Sequence, residues 1–91
     1  MDYQSIGFFV NKTEQPITLF LELTCQEIIM DPNHEIELLI DCLDEDFSVT
    51  VLYHNDGLQI YPENIDYSPD WKFKFKGEIY KADYPSILRD L

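Results

Sequence analysis

Hydrophobic residues along this chain recur with a period of two. Ile6, Phe8 and Val10 alternate with Gly7, Phe9 and Asn11, and Ile17, Leu19, Leu21 and Leu23 alternate with Thr18, Phe20, Glu22 and Thr24. Successive side chains on a strand point to opposite faces, so each apolar set is expected to line the inner face of a sheet. Between the two runs, Asn11-Lys12-Thr13-Glu14-Gln15-Pro16 is polar, ends in Pro, and reads as the loop of a hairpin. The stretch from Cys25 to Leu43 is the one place where Glu and Leu favour a helix. Pro32 interrupts it, Asp31-Pro32-Asn33-His34 has the composition of a turn, and Ile36, Leu38 and Ile40 then alternate with Glu35 and Glu37, which favours a strand.

The second half continues in the same way. Phe47, Val49, Val51 and Tyr53 alternate with Ser48, Thr50, Leu52 and His54, and Leu58-Gln59-Ile60-Tyr61 follows Asn55-Asp56-Gly57. An Asp-Gly pair between two alternating runs is the strongest hairpin sign in the chain, because both residues tolerate the positive φ of a tight turn. Pro62 to Asp70 is a polar connection. Trp71, Phe73 and Phe75 then alternate with Lys72, Lys74 and Lys76, Gly77 turns the chain, and Glu78-Ile79-Tyr80 returns. Pro85 to Leu91 forms a terminal helical turn, with Pro at an allowed first position. About seven short strands separated by regular turns predict an all-β fold, a small antiparallel β-sandwich.

Length and composition narrow this further. Ninety-one residues make one domain, 1–91, and a chain 45% hydrophobic and 14% aromatic is too apolar to be a disordered acidic tail despite its net charge of −12. The charge is sorted: residues 1–71 hold fifteen of the eighteen acids and one base, Lys12, whereas residues 72–91 hold five bases against three acids. That sign opposes binding to nucleic acid or to an anionic membrane. The N-terminus has no basic region followed by an apolar run, so no signal peptide is read, and no apolar stretch is long enough to span a bilayer. A cytoplasmic protein is expected, with Cys25 and Cys42 as buried free thiols.

Two stretches carry a resemblance. Leu19 to Leu23, running through Glu27-Ile28-Ile29-Met30-Asp31-Pro32-Asn33-His34-Glu35-Ile36-Glu37-Leu38, places a Glu-bearing strand before an apolar segment, a Pro-centred turn and another strand. Phe73-Lys74-Phe75-Lys76-Gly77-Glu78 is a strand that turns at a Gly-acid pair. Together, about a quarter of the chain resembles small acidic bacterial β-sandwich proteins of cupredoxin-like or immunoglobulin-like shape, some of immunity-protein type. The usual Pro-Gly turn is Pro32-Asn33 here. The resemblance implies a sandwich fold and the neutralisation of a toxin.

The candidate chemistry is sparse. Asp41, Asp44, Glu45 and Asp46 cluster between two predicted strands and form a docking patch for a basic partner, or else a solvated loop that keeps an acidic protein soluble. The loop is no calcium site of the twelve-residue type, since the sixth and twelfth positions from Asp44 are Val49 and Asn55. Cys25, Cys42, His34, His54 and Met30 lack the spacing of copper or zinc ligands. No serine lies in a Gly-x-Ser-x-Gly elbow, and three glycines make no phosphate-cradling loop. Lys72, Lys74 and Lys76 form a second patch, read either as a contact for an acidic surface or as protection on an edge strand, with Glu35 or Glu37 as cross-strand partners. Phe9, Phe20, Tyr61 and Tyr67 fall outside the inward sets, as anchoring aromatics or through a shifted register.

The expected function is therefore non-catalytic: an acidic binding protein, immunity- or inhibitor-like, that occludes a basic protein surface. Asp41, Asp44, Glu45 and Asp46 would act with Asp56 and Glu63, and Tyr53 and Tyr61 would serve as anchors. The alternative is a structural subunit that forms homo-oligomers by setting the acidic body against the lysine stripe of a second copy. A small enzyme or metal protein comes third, and no cofactor is expected.

Overall fold

A computed structural model describes residues 3–22, 24–41, 48–63 and 69–91. Their strands are β1 (Gln4–Val10), β2 (Ile17–Leu21), β3 (Gln26–Met30), β4 (Glu35–Asp41), β5 (Ser48–His54), β6 (Gly57–Glu63), β7 (Asp70–Phe75), β8 (Glu78–Lys81) and β9 (Ser86–Ile87). A 3-10 turn, Leu88–Asp90, follows β9. One sheet has four strands in the order β1-β4-β7-β8, the other five in the order β5-β6-β2-β3-β9. The pairings are antiparallel except for β2 with β6 and β3 with β9. The all-β sandwich and the terminal turn stand as expected. The strands beyond the expected seven are β3, an apolar run without alternation, and the two-residue β9. Among the described residues no helix is long and apolar enough to cross a membrane.

The core lies between the sheets. Leu19, Leu21, Ile28, Met30 and Ile60 from the five-stranded sheet face Ile36, Leu38, Ile40, Trp71, Phe73 and Phe75 from the four-stranded one, and all are buried. In β2 and β7 the alternation seen in the sequence is the alternation of burial, and in β4 it holds except at Leu39, which is buried between Leu38 and Ile40. Apolar burial of this kind contributes about 25 cal/mol per Å² and is the main stabilising term.

Strand β1 departs from expectation. Its register against β4 slips between Ser5 and Gly7, after which Phe9 stands opposite Ile36. Ile6 and Phe9 therefore pack on the core, while Phe8 is 68% exposed and Val10 also faces out. The inward set is Ile6 and Phe9, not Ile6, Phe8 and Val10, because one irregularity inverts every side chain that follows it.

Residues 11–16 are not a hairpin loop. β1 pairs with β4, whereas β2 pairs with β3 and β6, so this segment crosses from one sheet to the other. Asn11 organises the crossing. Its buried carboxamide donates to the carbonyls of Gln15 and Met30, each at 2.9 Å, and accepts from the N–H and hydroxyl of Thr13 at 2.9 and 2.7 Å. The expected hairpins at Asn55-Asp56 and Lys76-Gly77 are present. At the second, Lys76 and Gly77 both have positive φ, +52° and +84°, the two-residue geometry that matches strand twist.

Candidate functional site

One end of the sandwich gathers acids from both sheets. Asp41 ends β4, and the ladder sets it opposite Asp70 at the start of β7. One residue further in, Ile40 stands opposite Trp71, whose indole N–H donates to the carbonyl of Glu22 at 3.4 Å. Glu22 in turn donates its backbone N–H to Ile60 of β6 at 2.9 Å, and β6 runs on from there to Glu63. Glu22, Asp41, Glu63 and Asp70 thus share this end, Glu22 just after β2 and the others from β4, β6 and β7. The segment that carries Asp44, Glu45 and Asp46 leaves from Asp41 and rejoins at Ser48, opposite Glu63; those three acids lie outside the described residues.

A tyrosine and a lysine sit among these carboxylates. Tyr3 donates its hydroxyl to Asp70 Oδ2 at 3.1 Å, and Lys72 Nζ lies 4.5 Å from the centre of the Tyr3 ring. A hydrogen bond with Tyr3 is the main cause that raises the Lys72 pKa above its ordinary value; desolvation opposes it, and the lesser electrostatic effects of Tyr3, Asp70 and Asp41 reinforce it. Lys72 therefore stays charged and offsets part of the local negative field.

The remaining candidates do not join this end. Asp56 lies in the β5–β6 turn and Glu63 at the other end of β6, a separation of about 20 Å at about 3.3 Å per strand residue. Tyr53 stands opposite Leu58 and points to the inner side of its sheet, where it is 85% exposed. Tyr61, three residues beyond Leu58 along β6, lies about 10 Å away at about 3.3 Å per strand residue, on the other face, opposite Thr50, and half-buried. The two tyrosines cannot anchor one contact. Glu22, Asp70 and Tyr3 were missed by sequence reasoning, because the parallel β2–β6 pairing and the β4–β7 register that place them leave no local mark.

No protein family, curated protein or solved structure shows a significant match to this chain. The site is therefore read from its own geometry.

The lysine stripe is not on an edge strand, since β7 lies between β4 and β8. Lys74 stands opposite Glu37 on one side and Ile79 on the other, while Lys72 stands between Leu39 and Lys81. Lys76 belongs to the turn, with its Nζ 5.2 Å from the Phe75 ring centre. Of the expected cross-strand partners, Glu37 faces Lys74 directly.

Cys25 is exposed, with φ +60° in the turn before β3, rather than buried as expected, and Cys42 lies outside the described residues. His34 accepts the Asp31 N–H at Nδ1 (2.9 Å) and packs edge-on against Phe75. His54 bonds to Gln59 at 2.6 Å, Gln59 donates to a Glu22 carboxylate oxygen, and Phe20 packs edge-on against His54. Met30 is in the core. Among the described residues no group of three His, Cys, Asp or Glu side chains is placed to hold a metal ion.

Proposed function

We propose that this protein is a non-catalytic, acidic binding protein of the immunity or inhibitor kind, and that it docks on a basic protein surface through the end of the sandwich described above. The supporting observation is the convergence of Glu22, Asp41, Glu63 and Asp70 at the base of the segment that carries Asp44, Glu45 and Asp46. Such a field accelerates encounter with a cationic surface, and occlusion of that surface is the mode of action. A cytoplasmic setting belongs to the same reading.

The test uses two neutralised variants in parallel. D41N/E63Q/D70N removes charge from the acidic end, and E14Q/D56N removes it from the other. A protein from source-cell lysate that is retained at low salt, released at high salt, and lost by the first variant but kept by the second fits the proposal. Equal retention by both variants contradicts it. Against such a partner, D44N/E45Q/D46N is expected to slow association and flatten its salt dependence.

The assembly reading has one supporting observation, the placement of Lys72, Lys74 and Lys81 on one outer face. Its expected outcome is an oligomer in sedimentation that dissolves as salt rises.

A further inference from the structure

We infer that the free edge of β5 takes up an extended segment of a cationic partner as an added strand. This deepens the docking proposal, resting on it only for the choice of partner. Among the described residues the two sheets end in β1, β8, β5 and β9. An exposed edge is a template for pairing unless it is short, charged, slipped or interrupted by Pro. β1 carries the Ser5–Gly7 slip, β8 has four residues including Glu78 and Lys81, and β9 has two. β5 has seven residues, Ser48 to His54, with no Asp, Glu, Lys, Arg or Pro and an unbroken register against β6.

The backbone of that edge is available. β5 and β6 are joined by a two-residue turn closed by the pair His54–Gly57. In an antiparallel ladder so closed, alternate residues exchange bonds with the partner, which leaves the N–H and C=O groups of Val49, Val51 and Tyr53 directed outward. The side chains there are open as well. Val51 and Tyr53 belong to the inner face, but the four-stranded sheet does not cover them, and Leu52 on the other face is 45% exposed. Tyr53 and Leu58 border a cleft of about 390 Å³ that reaches Val10 of β1 and Ile17 of β2. An added strand gains main-chain bonds from this edge and apolar contact on both faces.

Charge selects the occupant. The uncharged strand is bracketed in sequence by Asp44, Glu45 and Asp46 before it and Asp56 after it, with Glu63 opposite Ser48. A segment with a neutral alternating centre and Lys or Arg at its ends complements this pattern. A second copy does not: its β5 is flanked in sequence by the same acids, so it offers like charge where opposite charge is needed, and like charges opposed across strands are destabilising.

The test uses a synthetic peptide with an alternating Thr-Val centre and two lysines at each end, and a second peptide with glutamates in their place. Binding is followed by amide hydrogen exchange and nitrogen-15 shifts on the whole chain. The Lys-ended peptide is expected to protect Val49, Val51 and Tyr53. Val51→Pro, which removes an outward donor without touching the β5–β6 ladder, is expected to weaken binding by about tenfold or more, a factor equivalent to about 1.4 kcal/mol. Val51→Lys keeps the donor but charges the edge, and is expected to weaken binding likewise with the thermal midpoint preserved; it decides the matter if the proline variant does not fold. Protection at the acidic end alone, or binding that both variants leave intact, overturns strand addition while sparing the electrostatic reading. Equal binding of the Glu-ended peptide at β5 overturns the choice of a cationic partner and counts against the electrostatic reading, while leaving strand addition intact. A β5-linked dimer of the free protein overturns the choice of occupant.

Discussion

Gly57 offers the sharpest check on the fold, because the joint at the middle of the five-stranded sheet depends on its lack of a side chain. A Cβ placed there falls 1.8 Å from the carbonyl oxygen of Thr18 and 2.8 Å from that residue's C and N, well inside the 3.0 Å that real Cβ atoms respect. In Gly57→Ala, β6 must therefore withdraw from β2 by more than 1 Å. That breaks the adjacent bond from Thr18 N–H to Asp56 O, now 3.0 Å, at about 1 kcal/mol. The φ of +157° adds about 1–3 kcal/mol of strain for a residue with a Cβ. Parting Leu19 and Leu21 from Leu58 and Ile60 adds more, so a loss of at least about 3 kcal/mol is expected. For a domain of this size that is a large share of about 5–14 kcal/mol, and it lowers the melting midpoint by about 12 °C or more.

Gly77→Ala is the matched control. Gly77 also has positive φ, +84°, but a Cβ there meets nothing within 4 Å, so only the backbone term of about 1–2 kcal/mol applies. Both variants can be unfolded in urea and followed by the fluorescence of Trp71, the single tryptophan and fully buried. Equal losses in the two variants would refute the close approach of β2 and β6, and with it the parallel pairing that brings Glu22 toward Glu63.

Three further outcomes are expected. Asn11→Ala removes the donor to the Met30 carbonyl and empties the hub of the 11–16 crossing, which costs about 2–3 kcal/mol in denaturant unfolding. The slip in β1 predicts opposite results for neighbours: Phe8→Ala stays within about 0.5 kcal/mol of the parent, while Phe9→Ala, which strips a side chain packed on the core, loses about 2 kcal/mol. Tyr3→Phe removes the hydroxyl that holds Lys72 charged, so the Lys72 midpoint in an NMR titration falls toward the ordinary value. The linkage has a definite sign. A raised pKa in the folded state gives stability that is complete below the ordinary Lys range of about 10.4 and is lost as pH rises through the folded value. Tyr3→Phe should flatten that alkaline loss.

The legible parts of the fold were those set by local pattern. In β2, β4 and β7 the inner face is the more buried one, so period-two alternation and burial largely coincide, Leu39 of β4 being buried as well. The two short hairpins were legible because Asn55-Asp56, followed directly by Gly57, and Lys76-Gly77 are turn-forming residues between alternating runs. What escaped was non-local. Asn11 to Pro16 has the composition of a hairpin loop whether the next strand pairs or crosses over, and only the partners of β1 and β2 decide between the two. The slip in β1 shifts burial without changing composition. Cys25 sits in a turn whose positive φ no flanking glycine announces. Of the proposed site, the acids before Ser48 and Asp41 itself were visible as a run, whereas Glu22 and Asp70 join it only through sheet topology.

Topology also explains why the charge asymmetry of the sequence does not become a bipolar molecule. Four of the five C-terminal bases, Lys72, Lys74, Lys76 and Lys81, lie on the β7–β8 hairpin or its turn. Because β7 pairs with β4, this hairpin is set beside an acidic strand: Glu37 faces Lys74, and Asp41 and Asp70 lie near Lys72. The fifth base, Arg89, reaches Asp31 at 3.6 Å. Lys72, Lys74 and Arg89 are thus set against local carboxylates, and the end that holds Glu22, Asp41, Glu63 and Asp70 keeps a surplus of acids. β5, among the described residues the one seven-residue edge with neither a charge nor a register slip, has its first residue opposite Glu63 at that end. A surface with a neutral pairing edge in a negative surround selects first by field and then by backbone, an order in which salt should alter the rate of arrival while edge substitutions alter the residence time.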